Sequence, residues 1–364
     1  MNKYINFLLI AILPLLAGCD LADYLQLDGV GQTIEFTANT YYKNVSGTKT
    51  EYSGDIYNNI ERINWLNTDL IRIYCDQASV SGSDNHFADY SISPTSNAQQ
   101  ISKASIAPVN QGLQWGTGQH TFYALYPSPA TTGVNPNKVS INGSTITMTI
   151  PESQAMAGKI TVRDGANNIL GYEYKPDMRY AYMVATAQAS PGASVSLSFE
   201  PHFSAWEFTL NNETSNSIEI SSIYLDKSGT GAKLTGDWDY ECVNGISTYQ
   251  DASSNFAYAA LPDFSNGGYL TIEPNKYIKF TLFTRSGLSV RNGQLSINII
   301  YADGTGKRLV LYNSPSSMMA VMLGNLKRRY NLSVPEPSNP VQPSVQTNGQ
   351  QVEVIDFSSV NSWE

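Results

Sequence analysis

Val195-Ser196-Leu197-Ser198-Phe199 alternates apolar and polar residues at a period of two. A strand with that pattern sets one face on a core and the other in water, the arrangement of a half-buried antiparallel strand. Outward from it, the same alternation recurs on both sides. Toward the N-terminus it marks Thr33 to Ala38, Leu70 to Cys75, Thr121 to Tyr126, Thr145 to Ile150 and Tyr180 to Thr186. Toward the C-terminus it marks Trp206 to Leu210, Ile218 to Leu225, Tyr269 to Ile272, Ile278 to Phe283, Leu295 to Tyr301 and Arg308 to Tyr312. Clusters of Gly, Asn, Ser, Pro and Asp separate these runs, and short strands at such spacing predict an all-β chain of antiparallel β-sandwiches. Helical period is scarce. Pro315 to Leu323 is the best candidate, as a short helix or a bulged strand edge, and is read as core packing.

Residues 1–18 have the layout of a secretory signal peptide: Lys3, an apolar run from Ile5 to Leu16, then small residues. The run is short and broken by Pro14, so it does not read as a membrane-spanning helix, and no later stretch is long and apolar enough to span. Leu16-Ala17-Gly18-Cys19 matches the bacterial lipobox, in which the cysteine sulfur takes a diacylglycerol and becomes the new N-terminus. Lipidation of Cys19 is therefore expected, with acyl chains such as palmitate holding the protein on the outer membrane at about 0.8 kcal/mol per buried CH₂. That covalent lipid is the one prosthetic group the sequence calls for. Asp20 to Gly31 is acidic and glycine-punctuated, so residues 19–32 read as a lipidated tether.

The chain has 364 residues, a formal net charge of −9 and 41% hydrophobic residues. The charge argues against a nucleic-acid partner, and the apolar content supports real cores. The length after the tether suggests two domains. Ser190-Pro191-Gly192 breaks the strand pattern, which predicts an N-terminal sandwich over 33–190 and a C-terminal one over 191–334. Pro335-Glu336-Pro337-Ser338-Asn339-Pro340-Val341-Gln342-Pro343 then opens a proline-rich spacer, and strand character returns from Gln351 to Phe357. A lone strand is not stable in water, so this segment of 335–364 must join a sheet. Cys75 and Cys242, the cysteines left after Cys19, fall in different predicted domains; two buried thiols are favoured over a disulfide.

No catalytic constellation emerges. His86, His120 and His202 have no paired spacing, and no nucleophile elbow, phosphate loop, dinucleotide fingerprint or His-Glu-x-x-His is present. Two acidic clusters, Asp84-Asn85-His86 with Asp89, and Asp226 with Asp237 and Asp239, lack the ligand order of a calcium loop and read as turn residues. The 23 tyrosines fall mostly on strand periods and read as sheet packing. The chain therefore does not read as an enzyme, and no metal site is expected.

A series of phrases in fixed order does carry information. They are Ile34-Glu35-Phe36-Thr37-Ala38, Arg62-Ile63-Asn64-Trp65 with Asp69-Leu70-Ile71, and Tyr123-Ala124-Leu125-Tyr126-Pro127. Ile150-Pro151-Glu152-Ser153-Gln154, Asp177-Met178 with Tyr182-Met183-Val184-Ala185, the Val195 stretch running on to Phe203, and Arg329-Tyr330-Asn331-Leu332-Ser333-Val334 follow. From lipobox to tail, this order resembles the fimbrillin family, the lipoprotein pilins of Gram-negative anaerobes. The resemblance implies two tandem transthyretin-like β-sandwiches with a C-terminal tail like a donor strand, and assembly into a fimbria on the outer surface. It further implies that a trypsin-like protease cuts after a basic residue, releases the first strand, and leaves a groove that a strand of another subunit fills. The implied partners are other fimbrial subunits, the protease, the outer membrane through the lipid, and, for a tip subunit, a host or bacterial surface receptor.

The residues that such a scheme needs are present. A detachable strand lies at Ile34 to Ala38, and Lys43, Lys49 and Arg62 after it are the candidate cleavage positions. Val352, Val354 and Phe357 are the candidate inserting side chains of a donor strand. Removing an edge strand leaves unpaired backbone groups and an apolar groove, which an extended donor satisfies by main-chain bonds and side-chain pockets. A pilus subunit, stalk or adhesive tip, is therefore the first reading, with the Gly112 to Gly118 loop as a binding face for a tip. The alternative is a surface glycan-binding lipoprotein of a polysaccharide uptake system, with Trp115 and Trp238 as exposed stacking platforms.

Overall fold

Leu70–Tyr74 shows how the period-two pattern becomes structure: Ile71 and Ile73 are buried, while Leu70, Arg72 and Tyr74 between them are partly exposed. Repeated along the chain, this produces a protein that is nearly all strand. The computed structural model describes residues 29–41, 51–57, 60–93, 101–229, 233–250, 254–286, 288–290, 293–314, 320–322, 326–337 and 352–356. Among the described residues, no helix is long and apolar enough to cross a membrane.

An eight-stranded sheet runs in the order β15 (Val195–Ser198), β1 (Phe36–Tyr41), β7 (Ile101–Pro108), β6 (Phe87–Ser93), β4 (Leu70–Tyr74), β9 (His120–Tyr126), β14 (Met183–Ala189) and β16 (Glu200–Pro201). A four-stranded sheet follows the order β10 (Ser140–Asn142), β11 (Thr145–Ile150), β19 (Gly236–Glu241) and β20 (Ile246–Tyr249). The largest sheet has eleven strands. Its path is β26 (Gly306–Ser314), β25 (Gly293–Tyr301), β18 (Ile218–Lys227), β21 (Phe256–Ala260), β12 (Ser153–Arg163), β13 (Ile169–Pro176), β23 (Tyr277–Arg285), β17 (Phe203–Asn211), β28 (Leu326–Ser333) and β29 (Val352–Asp356), with β22 (Leu270–Ile272) beside β18. Three two-stranded ribbons complete the set: β2 (Glu51–Tyr57) with β3 (Ile60–Asn64), β5 (Ser79–Val80) with β8 (Leu113–Gln114), and β24 (Leu288–Val290) with β27 (Ala320–Met322). The segment expected to be a helix or a bulged edge thus places 320–322 in a strand, and 315–319 and Leu323 lie outside the described residues.

Two hydrophobic cores organise these sheets. The first joins Phe36, Ile71, Ile73, Tyr90, Phe122, Val195 and Leu197 of the eight-stranded sheet to Ile146, Met148, Ile150 and Trp238 of the four-stranded one. Trp65 sits in it edge-on to Tyr126 and Phe199, with ring centroids 5.1 and 5.3 Å away. The second core gathers Ile218, Ile220, Ile223 and Leu225 of β18 with Trp206, Phe208 and Leu210 of β17 and Ile278, Phe280 and Leu282 of β23. The largest sheet encloses it by bending at β12, whose Ser153 to Ala155 pair with β21 while Met156 to Arg163 pair with β13.

The predicted division at 190/191 does not follow these cores. Ser190-Pro191-Gly192 is a turn inside the first assembly, leading from β14 to β15. Gly29 (φ +97°) approaches Gly192 so closely that a Cβ would lie 2.3 Å from the Gly192 nitrogen. Val195, Leu197, Phe199, Phe203 and Ala205 belong to the first core, whereas the hairpin β12–β13 and Tyr174 belong to the second. β17 explains why no single cut separates them: its Phe203 and Ala205 face one core, and its Trp206, Phe208 and Leu210, on the alternate side, face the other.

Candidate functional site

Gly29 to Glu35 lead into the first sheet. Before β1, the Gly31 N–H donates to the Trp115 carbonyl at 2.8 Å and the Ile34 N–H to the Leu113 carbonyl at 2.9 Å. β1 then pairs antiparallel with β7, from Thr37 opposite Ser105 to Tyr41 opposite Ile101. On its other side it pairs in parallel with β15, from Phe36 opposite Val195 to Asn39 opposite Ser198. Ile34, Phe36 and Ala38 are buried, and Phe36 meets Tyr90 and Phe122 edge-on at 5.2 and 5.3 Å. The expectation of an edge strand is corrected here: β1 is second in the sheet, because the four residues Val195 to Ser198 add outside it and complete the core with Val195 and Leu197.

Of the candidate cleavage positions, Lys43 and Lys49 lie outside the described residues, as does Cys19. Arg62 lies within β3, which is paired to β2, with Tyr52 opposite Ile63. β3 also lies beside both β1 and β29, so the ribbon that follows the first strand touches the last one as well.

The C-terminal segment forms β29 on the free edge of β28. Tyr330 stands opposite Val352, Arg329 opposite Glu353, Arg328 opposite Val354, Lys327 opposite Ile355 and Leu326 opposite Asp356. The proposed inserting residues Val352 and Val354 thus take register positions across from Tyr330 and Arg328, and Phe357 lies outside the described residues. β28 itself is parallel to β17, with Trp206 opposite Arg328, Phe208 opposite Tyr330 and Leu210 opposite Leu332. On the opposite face, Lys327 Nζ lies 2.8 Å and Arg329 Nε 2.9 Å from the Glu207 carboxylate. Burial pushes the Glu207 carboxyl up, but the charges of Lys327, Arg329 and Lys279 outweigh it and hold the group below the usual carboxylate range.

The remaining sequence candidates resolve into structure. Trp115 and Trp238 are only 4% and 0% exposed, so neither is a stacking platform, and the glycan-binding reading loses both of its residues. Trp115 packs edge-on against His120 and Phe122, and Trp238 against Tyr182. The Gly112 to Gly118 loop buries Leu113 and Trp115 and braces the segment before β1, so those two side chains offer no binding face.

Cys75 and Cys242 are free; Cys75 is buried in the first core and the half-buried Cys242 packs against that same core, and burial pushes the thiols up, to about 11 and about 12. Both stay protonated at neutral pH. His86 and His120 hold backbone carbonyls of Ala78 and Gly118, and His202 lies 4.0 Å from the Tyr240 ring. Asp89 accepts from Arg72 and Ser128, Asp226 from Arg308, Asp237 from Thr149 and Lys138, and Asp239 from Thr147 and Gln250. Among the described residues, no group of three or more His, Cys, Asp or Glu side chains is placed to hold a metal ion.

No protein-family model and no curated protein matches the sequence. Solved structures similar to the chain include fimbrial and adhesion proteins. One, provisionally described as a cell adhesion protein, is from Bacteroides uniformis, at 13% identity and a TM-score of 0.46, covering 89% of this chain and 99% of that one. A fimbrial protein from Bacteroides vulgatus has 13% identity and a TM-score of 0.38, with 79% of this chain and 91% of that one covered. The tip fimbrial protein Mfa3 from Porphyromonas gingivalis, with a C-terminal truncation, has 7% identity and a TM-score of 0.38, with 89% and 99% covered.

Proposed function

We propose that this chain is a fimbrial subunit, stalk or adhesive tip, exported as a lipoprotein on Cys19 and assembled by strand exchange between neighbouring subunits. The supporting observation is the placement of β1. It is the first of the described strands, so a single backbone cut after it leaves it covalently joined only to the segment that precedes it. Its inner position makes the vacated slot two-sided, with β7 exposing main-chain groups on one flank and β15 on the other. An extended donor in that slot gains hydrogen bonds along both edges and regains the pockets of Ile34, Phe36 and Ala38. Burying side chains of that kind contributes about 1.5 to 3 kcal/mol for each large one, which favours refilling over an open groove. The transthyretin-like character of the two sandwiches, the trypsin-like processing after Lys43, Lys49 or Arg62, and the surface location of the assembled fimbria belong to the same reading.

Trimming the purified protein with trypsin in the Lys43 to Arg62 region tests it. The trimmed protein is expected to polymerise, or to bind a synthetic peptide of residues 347–364, while the untrimmed protein does neither. Trimmed protein that stays monomeric and ignores the peptide overturns the proposal.

A further inference from the structure

The junction between the two assemblies holds a buried charge that lacks acceptors. Arg285 ends β23 and is 0% exposed; by the period of two it lies on the side of Phe283, a member of the first core. Its backbone N–H donates to the Leu234 carbonyl at 3.0 Å, and its Nε donates to the Lys233 carbonyl at 3.1 Å. Nη1 and Nη2 are both buried and have no hydrogen-bond partner. Burial pushes this group down to about 10, and of its described neighbours only Tyr249 supports the charged form. A guanidinium with both terminal nitrogens orphaned is rare in a native protein, and such a group is the mark of a place that an anion or a water fills.

Further cations lie close by. Lys227, at the end of β18, is 1% exposed, and burial followed by the charges of Lys233 and Arg285 pushes its ammonium down. Lys227, Lys233 and Arg285 therefore share one seam, drawn from β18, from the segment before β19 and from β23. Among the described residues, the ring over the guanidinium is Tyr249 at the end of β20, with its centroid 3.3 Å from the guanidinium carbon. Tyr249 is 39% exposed and stands on the last strand of its sheet, so outward rotation of the ring breaks no ladder on that flank.

We infer that Arg285 anchors a carboxylate-binding site at this junction: its Nη1 and Nη2 donate in parallel to the two oxygens of a carboxylate monoanion, which enters as the Tyr249 ring swings outward. Lys227 and Lys233 add attraction. Two coplanar donors match a planar carboxylate, and a monoanion loses less hydration on burial than a dianion such as phosphate. The carboxylate is that of a small free acid or of an acidic side chain on another chain. The site does not depend on strand exchange.

Thermal unfolding of the full chain at pH 7 tests this, with sodium acetate replacing sodium chloride at constant ionic strength in one arm and a terminally blocked peptide carrying one glutamate in the other. The midpoint is expected to rise along a saturating curve in at least one arm. A response to acetate assigns the site to free acids, and a response to the peptide alone assigns it to a side chain of another chain. Arg285→Met is expected to abolish the saturating rise. Tyr249→Ala keeps the cation and serves also where Arg285→Met fails to fold. It removes the ring that the ligand must displace, so half-saturation is expected at about fivefold lower concentration. No saturating rise in either arm, a rise that survives Arg285→Met, or a half-saturation that Tyr249→Ala does not lower overturns the site.

Discussion

His202 shows what one half-buried ring contributes. Its backbone N–H donates to the Tyr182 carbonyl at 2.7 Å and its ring packs on Tyr240, and burial pushes its pKa down from 6.5 to about 4. The unfolded chain therefore takes up a proton near pH 6.5 that the folded one refuses until about pH 4. This contribution to stability is complete above pH 6.5 and is lost as the pH falls toward 4. Urea unfolding at pH 7, 5.5 and 4.5 is expected to show that decline, and His202→Gln to flatten it; an unchanged slope in the variant contradicts the assignment. The sequence distinguished these residues poorly. An isolated histidine or tryptophan carries no sign of its depth, and Trp115 and Trp238, expected as exposed platforms, are enclosed by other aromatic rings, Trp115 by Phe122 and Trp238 by Tyr182.

At the scale of elements, β28 is held to β17 by a ladder of alternating charge. Lys327 and Arg329 meet Glu207, and beyond it Lys279 meets Glu173 of β13 at 2.9 Å. Lys327 is 1% exposed, so removing its carboxylate partner is costly. Glu207→Gln is expected to destabilise the protein by about 3 kcal/mol in denaturant unfolding at pH 7. Because Glu207 titrates below the usual range, the difference from the unaltered protein should shrink as the pH falls through its folded value. A variant as stable as the parent at pH 7 rules out the ladder as the attachment of β28. Strands with one deeply buried face were legible, and Thr145 to Ile150 was read to the residue. The hairpin β12–β13 was missed because long parts of it stand in water, where Ile160 and Leu170 remain exposed and no clean alternation arises.

The whole molecule interleaves its cores. β12–β13, from the first half of the chain, complete the second core, and Trp238, from the second half, completes the first. A division drawn along the sequence cannot show this, because long-range pairing leaves no local mark; Ser190-Pro191-Gly192 is a turn between β14 and β15, and both strands contribute to the first core. Inside the first assembly, β1 is flanked on both sides and is the first of the described strands. A disulfide trap reads the exchange directly. Ala104 of β7 faces Ala38 of β1 across the strands, so it marks the slot. One batch of protein carries Ala104→Cys and a second carries Val352→Cys or Val354→Cys; they are mixed after trypsin trimming and oxidised. The account predicts a heterodimer linked through residue 104 and the tail in trimmed mixtures and not in untrimmed ones. Equal linkage without trimming, or none after it, contradicts the claim that another subunit's strand takes the place of β1.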